Sequence, residues 1–296
     1  MKKEILTATK PPHVHPAPRP LKDAITSPNH KLVHWMAALR EPDARQRRGE
    51  YLVEGMRNVH LLLEKNAVGD RQLDTLLYSP PLLIHSFAIH LVERARRLGV
   101  RCVAAEPAIL QSLSAVEDGQ GLIAIAKFRL VPLPPDEPSG LCWVGLERVR
   151  KPGNLGTILR TVEAAGGAGV IGVGADVDFY EPRCVRATMG ALFSQTLVQA
   201  RWEELLLWKA RTRSFWVGTS PHGTVDFDAL DYPACPVLWM GDERQGLTEN
   251  AKRACDVLVR IPMTGRADSL NLAVSTGLMV YEVLRHRRLH KASLAE

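Results

Sequence analysis

The chain reads as an α/β protein of two units, and three observations predict it. Apolar runs of strand length alternate with helical patterns along most of the 296 residues. A Pro-rich stretch, VPLPPDEPSG at 131–140, cuts that alternation in two and reads as a stiff, extended linker. After it, strands alternate with helices, which implies a mostly parallel sheet with helices on both faces. Hydrophobic residues make up 46% and charged residues 24%, the balance of a globular chain rather than a disordered one. The expected organisation is a tail at 1–26, a small α/β unit at 27–130, the linker at 131–140, a larger unit at 141–290 and a short tail at 291–296.

The first 26 residues are dense in Pro, Lys and His (KPPHVHPAPRPLK), which opposes helix and removes backbone donors. His13 and His15 are read as part of a solvated basic tail. The segment 27–39 opens with a capping signature, and Leu32, Trp35, Met36 and Leu39 share one helical face. Arg40, Arg45, Arg47 and Arg48 cluster next. EYLVEG then reads as a short strand and 56–65 as a helix. LDTLLYS is strand-like, 84–98 helical, VRCVAA strand-like, and GLIAIAKF closes the unit as a strand.

In the second unit LCWVGLE is an apolar strand. A helix is expected over 154–165, capped by Asn154 and ended by Gly166 and Gly167. GVIGVG is the next strand, followed by a helix over 185–193 and the strand TLVQA. A helix at 203–213 leads to the strands SFWVGTS and PVLWMG. A short helix at 248–255 and the strand DVLVRI precede a last helix over 270–288. Leu270, Val274, Gly277, Leu278, Tyr281 and Leu284 are expected on its apolar face. Gly167-Ala-Gly169-Val-Ile-Gly172 is a literal GxGxxG, but its glycines follow a helix and enter a strand. A dinucleotide fingerprint needs the reverse order, so the glycines read as a helix end and a tightly packed start of a strand.

The net charge of +6 suits a polyanionic partner without demanding one. The five cysteines lie far apart, with no CxxC pair and no Cys/His run of zinc-ligand spacing, so buried thiols in a reducing compartment and no metal are expected. No apolar run is long enough for a membrane span, and the first residues lack the apolar core of a signal peptide. The expected location is the cytoplasm.

Three segments carry the chemistry: KPGNLGTILRTVEAAG (151–166), WMGDERQGL (239–247) and IPMTGRADSLNLAV (261–274). Each leaves an apolar stretch, passes a Gly- or Pro-bearing turn and enters a helical pattern. Three such turns can converge at one edge of a sheet, where open α/β folds hold ligands. In the first, Asn154 stands at a helix start, and Arg160, inside that helix, has a guanidinium suited to gripping a phosphate. In the second, Gly241 permits close approach to backbone. In the third, Pro262 stops a strand, and Ser269, Leu270 and Asn271 open a helix whose first donors are unpaired. Taken singly, these are also ordinary caps, turns and surface charges; spacing alone supports a ligand-binding α/β domain.

Together the segments resemble the three motifs of the SpoU/TrmH family of RNA 2′-O-ribose methyltransferases, within the knotted SPOUT superfamily. Asn154, Gly156 and Arg160 match the first motif, with Thr161, Glu163, Ala164 and Gly166 following as in the family. Gly241, Glu243 and Gly246 match the second. Ile261, Pro262, Met263, Ser269, Leu270 and Asn271 match the third. A small-residue stretch at 187–191 fits a further family feature. The first unit resembles the substrate-binding domain of many members, a ribosomal-protein L-thirty-type α/β fold. Lys151-Pro152-Gly153 and Asp242 depart from the commonest family residues without removing a motif position.

The resemblance implies a deep trefoil knot in the C-terminal part, a homodimer through the catalytic units, and S-adenosylmethionine as cofactor. It places Thr219, Ser220, Gly241, Ile261, Met263 and Leu270 around the cofactor, with Arg160, Asn154, Glu243, Ser269 and Asn271 as the catalytic set. A guanidinium stays protonated, so phosphate clamping is the more defensible role for Arg160. Arg45, Arg47 and Arg48 are expected to contact RNA. The implied reaction is methyl transfer to a ribose 2′-hydroxyl of structured RNA, ribosomal RNA before transfer RNA. A non-catalytic RNA-binding or ribosome-assembly factor on the same fold is the alternative from another class.

Overall fold

The computed structural model describes residues 24–115, 120–242, 244–266 and 268–293. The first unit is built on a four-stranded mixed sheet of β1 (Glu50–Glu54), β2 (Leu73–Tyr78), β3 (Arg101–Ala104) and β4 (Leu122–Lys127), in the order β1-β4-β2-β3. Around it lie α1 (Lys31–Ala38), α2 (Pro42–Arg48), α3 (Met56–Ala67), α4 (Ser86–Arg97) and α5 (Pro107–Leu113). The expected strands and the longer helices are present. α2 and α5 are additions: the arginine cluster is helical, begun by Pro42 in its first turn and ended by Gly49 at φ 64°.

Residues 1–23 of the expected tail lie outside the described residues, and so do His13 and His15. The tail's last residues are folded. Ile25 donates to Ala104 O at 2.8 Å and accepts from Glu106 N at 3.0 Å, and its buried side chain joins a small core with Leu32, Met36 and Leu110.

The second unit is a seven-stranded sheet in which every pairing is parallel. Its strands are β5 (Trp143–Glu147), β6 (Gly169–Val173), β7 (Leu197–Ala200), β8 (Trp216–Thr219), β9 (Val225–Asp226), β10 (Val237–Met240) and β11 (Val257–Arg260), in the order β7-β6-β5-β10-β8-β11-β9. Its helices are α6 (Pro152–Ala165), α7 (Pro182–Ala187), α8 (Trp202–Thr212), α9 (Glu249–Ala254) and α10 (Leu272–Ser293). Alternate strand residues face opposite ways. Val144, Leu146, Leu238 and Met240 join a core with α6 and α10. Trp143, Ile171, Trp216 and Trp239 join another with α8 and α9. Both faces are thus covered, as a parallel sheet requires. The glycines of the literal GxGxxG do end α6 and start β6; a Cβ on Gly169 would lie 2.5 Å from the Trp143 ring, so this spot is packed with protein.

Four local expectations are corrected. Asn154 is not the cap of its helix; α6 begins two residues earlier at Pro152, capped by the Lys151 backbone. The helix expected over 185–193 is broken: α7 ends at Ala187, Met189 and Gly190 take positive φ (51° and 101°), and a single 3₁₀ turn covers Ala191–Phe193. The last helix begins at Leu272, capped by Asn271, and runs to Ser293 into the expected tail. Its buried face is Leu272, Ala273, Thr276, Met279, Val280 and Val283, whereas Val274, Leu278 and Tyr281 of the expected face are exposed.

The linker is docked rather than free. Val131 N donates to Leu197 O at 2.9 Å, and Trp208 Nε1 donates to Pro134 O at 2.8 Å. The two units also share packing: Tyr180 stacks on Phe128 with centroids 4.1 Å apart and lies 4.5 Å from Tyr51. Burial in this cluster pushes the Tyr180 hydroxyl up to about 12.

Candidate active site

Because β8, β10 and β11 are parallel and adjacent, their carboxyl ends open on one edge of the sheet. β8 ends at Thr219, β10 at Met240 and β11 at Arg260; the second motif turn follows β10, the third follows β11, and Ser220 follows β8. There they enclose a cavity of about 570 Å³, lined among others by Thr219, Ser220, Gly241, Ile261, Met263 and Leu270. All six residues expected around the cofactor therefore meet at one place, and Ser269 lines the same cavity. Its wall is part apolar (Met240, Leu247, Leu272) and part polar (His222, Gln245, Lys252).

The turn after β10 is the most tightly specified part of this wall. Asp242 and Gly246 exchange both backbone hydrogen bonds, at 3.1 and 2.8 Å. A Cβ on Gly241 would come 2.2 Å from the Gly246 carbonyl carbon, so only glycine fits, and Gly246 itself sits at φ 66°. Asp242 Oδ1 accepts from Arg244 N at 2.9 Å and Gln245 N at 3.0 Å, closing the turn from within. Burial alone would raise this carboxyl. The two backbone donors, with the charges of Arg150 and Arg148, outweigh it and hold Asp242 below its ordinary value. Glu243 lies outside the described residues. The far end of the turn is held by buried Glu147 at the end of β5, which accepts from Thr248 N (2.6 Å) and Thr248 Oγ1 (3.0 Å).

The first and third motifs are joined directly. Asn271 Nδ2 donates to Asn154 Oδ1 at 3.1 Å, while Asn271 Oδ1 accepts from Ala273 N at 2.9 Å and caps α10. One side chain thus starts α10 and ties it to the first turn of α6. Arg160 lies six residues further along α6, about 9 Å by helix rise. It is exposed and lines a different hollow, of about 450 Å³, between the two units. Arg57 and Lys65 of α3 share that hollow, with Glu163, Met189 and Ser194. Arg57 Nε donates to Met189 O at 2.9 Å across the junction. Within one chain, then, Asn154 and Asn271 meet, Ser269 joins the cofactor residues, and Arg160 does not.

The expected RNA contacts divide. Arg47 and Arg48 are exposed, Arg48 lying over the Trp35 ring at 5.3 Å. Arg45 is corrected: it is 1% exposed, donates to Leu39 O (2.9 Å) and Arg40 O (2.6 Å), and pairs with Asp178 of the second unit. A guanidinium used up inside the protein is unavailable to a phosphate. Sequence reasoning missed Asp242, Gln245, Lys252 and His222 in the cavity, and Arg57 and Lys65 in the hollow. A signal existed for the first two, which sit inside the second motif. None existed for the others, which are ordinary surface residues until the fold gathers them.

Residues 142–281 match the SpoU rRNA Methylase family, and residues 30–124 match the MRM3-like substrate binding domain. The chain is 31% identical over 280 residues to the 23S rRNA (uridine(2479)-2'-O)-methyltransferase of Streptomyces viridochromogenes, covering 90% of this chain and 94% of that one. An AdoMet-bound rRNA methyltransferase from Sinorhizobium meliloti superposes with a TM-score of 0.78 at 31% identity, over 89% of this chain and 97% of that one. The SpoU methyltransferase AviRb of Streptomyces viridochromogenes, in complex with AdoMet, gives 0.77 at 30%, over 88% and 98%. With its second and third motif turns on one cavity and family matches over 30–124 and 142–281, the chain belongs to the SpoU methylase family.

Proposed function

We propose that this protein transfers a methyl group from S-adenosylmethionine to the 2′-hydroxyl of a ribose in ribosomal RNA, as a cytoplasmic homodimer. Residues 27–130 serve as the RNA-binding unit and 141–290 as the methyl-transfer unit. The carrying observation is the convergence of all six expected cofactor residues on one cavity at the carboxyl ends of β8, β10 and β11. Ribosomal RNA is favoured over transfer RNA because a relative that spans both units at 31% identity is a 23S rRNA methyltransferase. No described helix is long and apolar enough to cross a membrane.

The cavity suits this cofactor in size and chemistry. Its volume lies within the roughly 300–1,000 Å³ of small-molecule sites, and its mixed wall matches a ligand with an apolar ring and a zwitterionic arm. When bound, S-adenosylmethionine supplies an electrophilic methyl group. The protein's own task is to bring a ribose hydroxyl in line and ease the loss of its proton. Backbone around Gly241, Ile261 and Leu270 holds the cofactor. Ser269 and the Asn154–Asn271 pair orient the ribose, joined by Glu243. Arg160 clamps a substrate phosphate, and Arg47 and Arg48 hold RNA further out.

Two finer features belong to the same reading. The trefoil knot is supported by strand order, with β10 between β5 and β8 and β11 beyond β8, and by the packing of α10 on α6. The homodimer is supported by the exposed stripe Val274, Leu278 and Tyr281 along α10. It would also offer Arg160, remote from its own cavity, a route to that of the partner.

The test is transfer of radiolabel from S-adenosylmethionine to unmodified ribosomal RNA and to unmodified transfer RNA. Alkali-resistant label on ribosomal RNA is expected, reduced at least about 100-fold by Arg160→Ala with cofactor affinity retained. Label on transfer RNA alone would reverse the substrate assignment, and neither label nor cofactor binding would refute the reading.

A further inference from the structure

We propose that Asp231, His286 and His290 form a binding site for a zinc-type divalent metal ion, separate from the methyl-transfer site. His286 and His290 stand one turn apart on α10, so their rings lie on the same side of the helix, with centroids 4.4 Å apart. Asp231, in the loop between β9 and β10, faces both. Its Oδ1 lies 2.9 Å from His286 Nε2 and 3.4 Å from His290 Nε2. All three ligand atoms fall within 4.8 Å of one another. In a tetrahedral zinc site with bonds of about 2.0–2.2 Å, neighbouring donor atoms are about 3.3 Å apart. Of the three edges, the 3.4 Å one matches that length and the 2.9 Å one is shorter.

The surroundings are built to hold these groups in place. His286 is only 17% exposed and packs edge-on against Tyr232, with centroids 5.8 Å apart. Tyr232 is buried, and its hydroxyl donates to Phe227 O at 2.6 Å, which fixes the loop beside Asp231. The outer side is open, since Asp231 is 87% and His290 58% exposed, leaving room for water as a fourth ligand.

The donor set selects the class of ion. Two imidazoles and one carboxylate suit zinc, cobalt and nickel; the absence of thiolate from the trio disfavours Cu(I), and the single carboxylate disfavours calcium and magnesium. None of the three residues lines the cofactor cavity or the Arg160 hollow. The bound ion would clamp the β9–β10 loop to the last turns of α10. That is a structural role, because metal bound only by the folded state stabilises it.

The experiment uses the full chain without an affinity tag, stripped of metal by a chelator and titrated with Co²⁺. Expected is the strong visible absorption of tetrahedral cobalt, saturating at one equivalent, bleached by Zn²⁺, with a higher melting temperature in Zn²⁺. Asp231→Asn and His290→Ala, both on solvent-facing residues, should each weaken Co²⁺ binding more than about 100-fold, since even outer partners of metal ligands are worth 10–100-fold. Both should keep methyl transfer. Absence of the cobalt band in the full chain would overturn the proposal. So would an unchanged band in either variant, which would assign the ion elsewhere, His13 and His15 included.

Discussion

Gly241 carries the tightest steric demand in the cavity, because its missing Cβ is what lets the 241–247 turn fold back on itself. Gly241→Ala should raise the cofactor Kd at least tenfold or so and lower stability by about 1–3 kcal/mol, as overpacking does. Calorimetric titration and urea unfolding read the two effects; an unchanged Kd would remove this turn from the cofactor site. Asp242 makes a second, pH-dependent prediction. Its folded-state pKa is depressed, so its contribution is present at neutral pH and lost as pH falls from its ordinary 3.8 through the lower folded value. Asp242→Asn keeps an acceptor for the two backbone N–H groups but loses the charge. It should cost about 1 kcal/mol at pH 7, the difference between charged and neutral hydrogen bonds. The gap to wild type should close as the solution is acidified, read from urea midpoints across pH; a constant gap would deny the ionised carboxylate this role. The motif turns were legible because a turn needs glycine and a ligand needs polar groups, and the roles expected of their residues came from the family resemblance. The inward use of Asp242 was not, since a sequence displays a charge without the backbone donors it meets.

At the scale of elements, α2 is one tie between the units, its buried Arg45 reaching Asp178 just ahead of α7. Removing one partner of a buried pair leaves the other charge without its counter-ion; Arg45 would keep only its two carbonyl partners. Asp178→Ala should therefore cost about 2–4 kcal/mol, somewhat under the usual range because Asp178 is partly exposed. Asp178→Leu combined with Arg45→Met should recover much of that loss. Urea denaturation decides it, and a loss below about 0.5 kcal/mol for Asp178→Ala would make the pair incidental. This helix also marks where sequence reading ran out. Seven residues hold two turns, too few for an apolar period to stand out, and both α2 and α5 escaped for that reason. The break after α7 escaped because Met189 takes a left-handed conformation that its side chain does not announce. The parallel strands were legible because burial on both faces writes them as continuous apolar runs.

The whole molecule raises the question of why Arg160 lies in a hollow separate from the cavity proposed for the cofactor. The expected apolar face of α10 bears on it. That helix is apolar on two sides: Met279, Val280 and Val283 enter the core, while Val274, Leu278 and Tyr281 face outward at 52%, 39% and 50% exposure. Periodicity alone could find an apolar face but not say which one the chain itself covers. The outward stripe adjoins α6, where a Cβ on Gly277 would lie 3.7 Å from Thr161 Cγ2, one residue from Arg160. A two-fold dimer across this face is self-complementary, and each active site would then draw Arg160 from one protomer and the cavity from its partner. Mixing two impaired variants, assayed at a cofactor concentration too low to fill the Gly241→Ala cavity, tests this. In a dimer of one Arg160→Ala and one Gly241→Ala protomer, a shared arrangement puts both lesions in one site and leaves the other intact. Random exchange at equal amounts should recover about a quarter of wild-type methyl transfer. A site complete within each chain recovers nothing, because every protomer then carries its own lesion. Leu278→Lys in both partners should abolish the recovery by burying an unpaired charge at the contact, while light scattering shows the monomer.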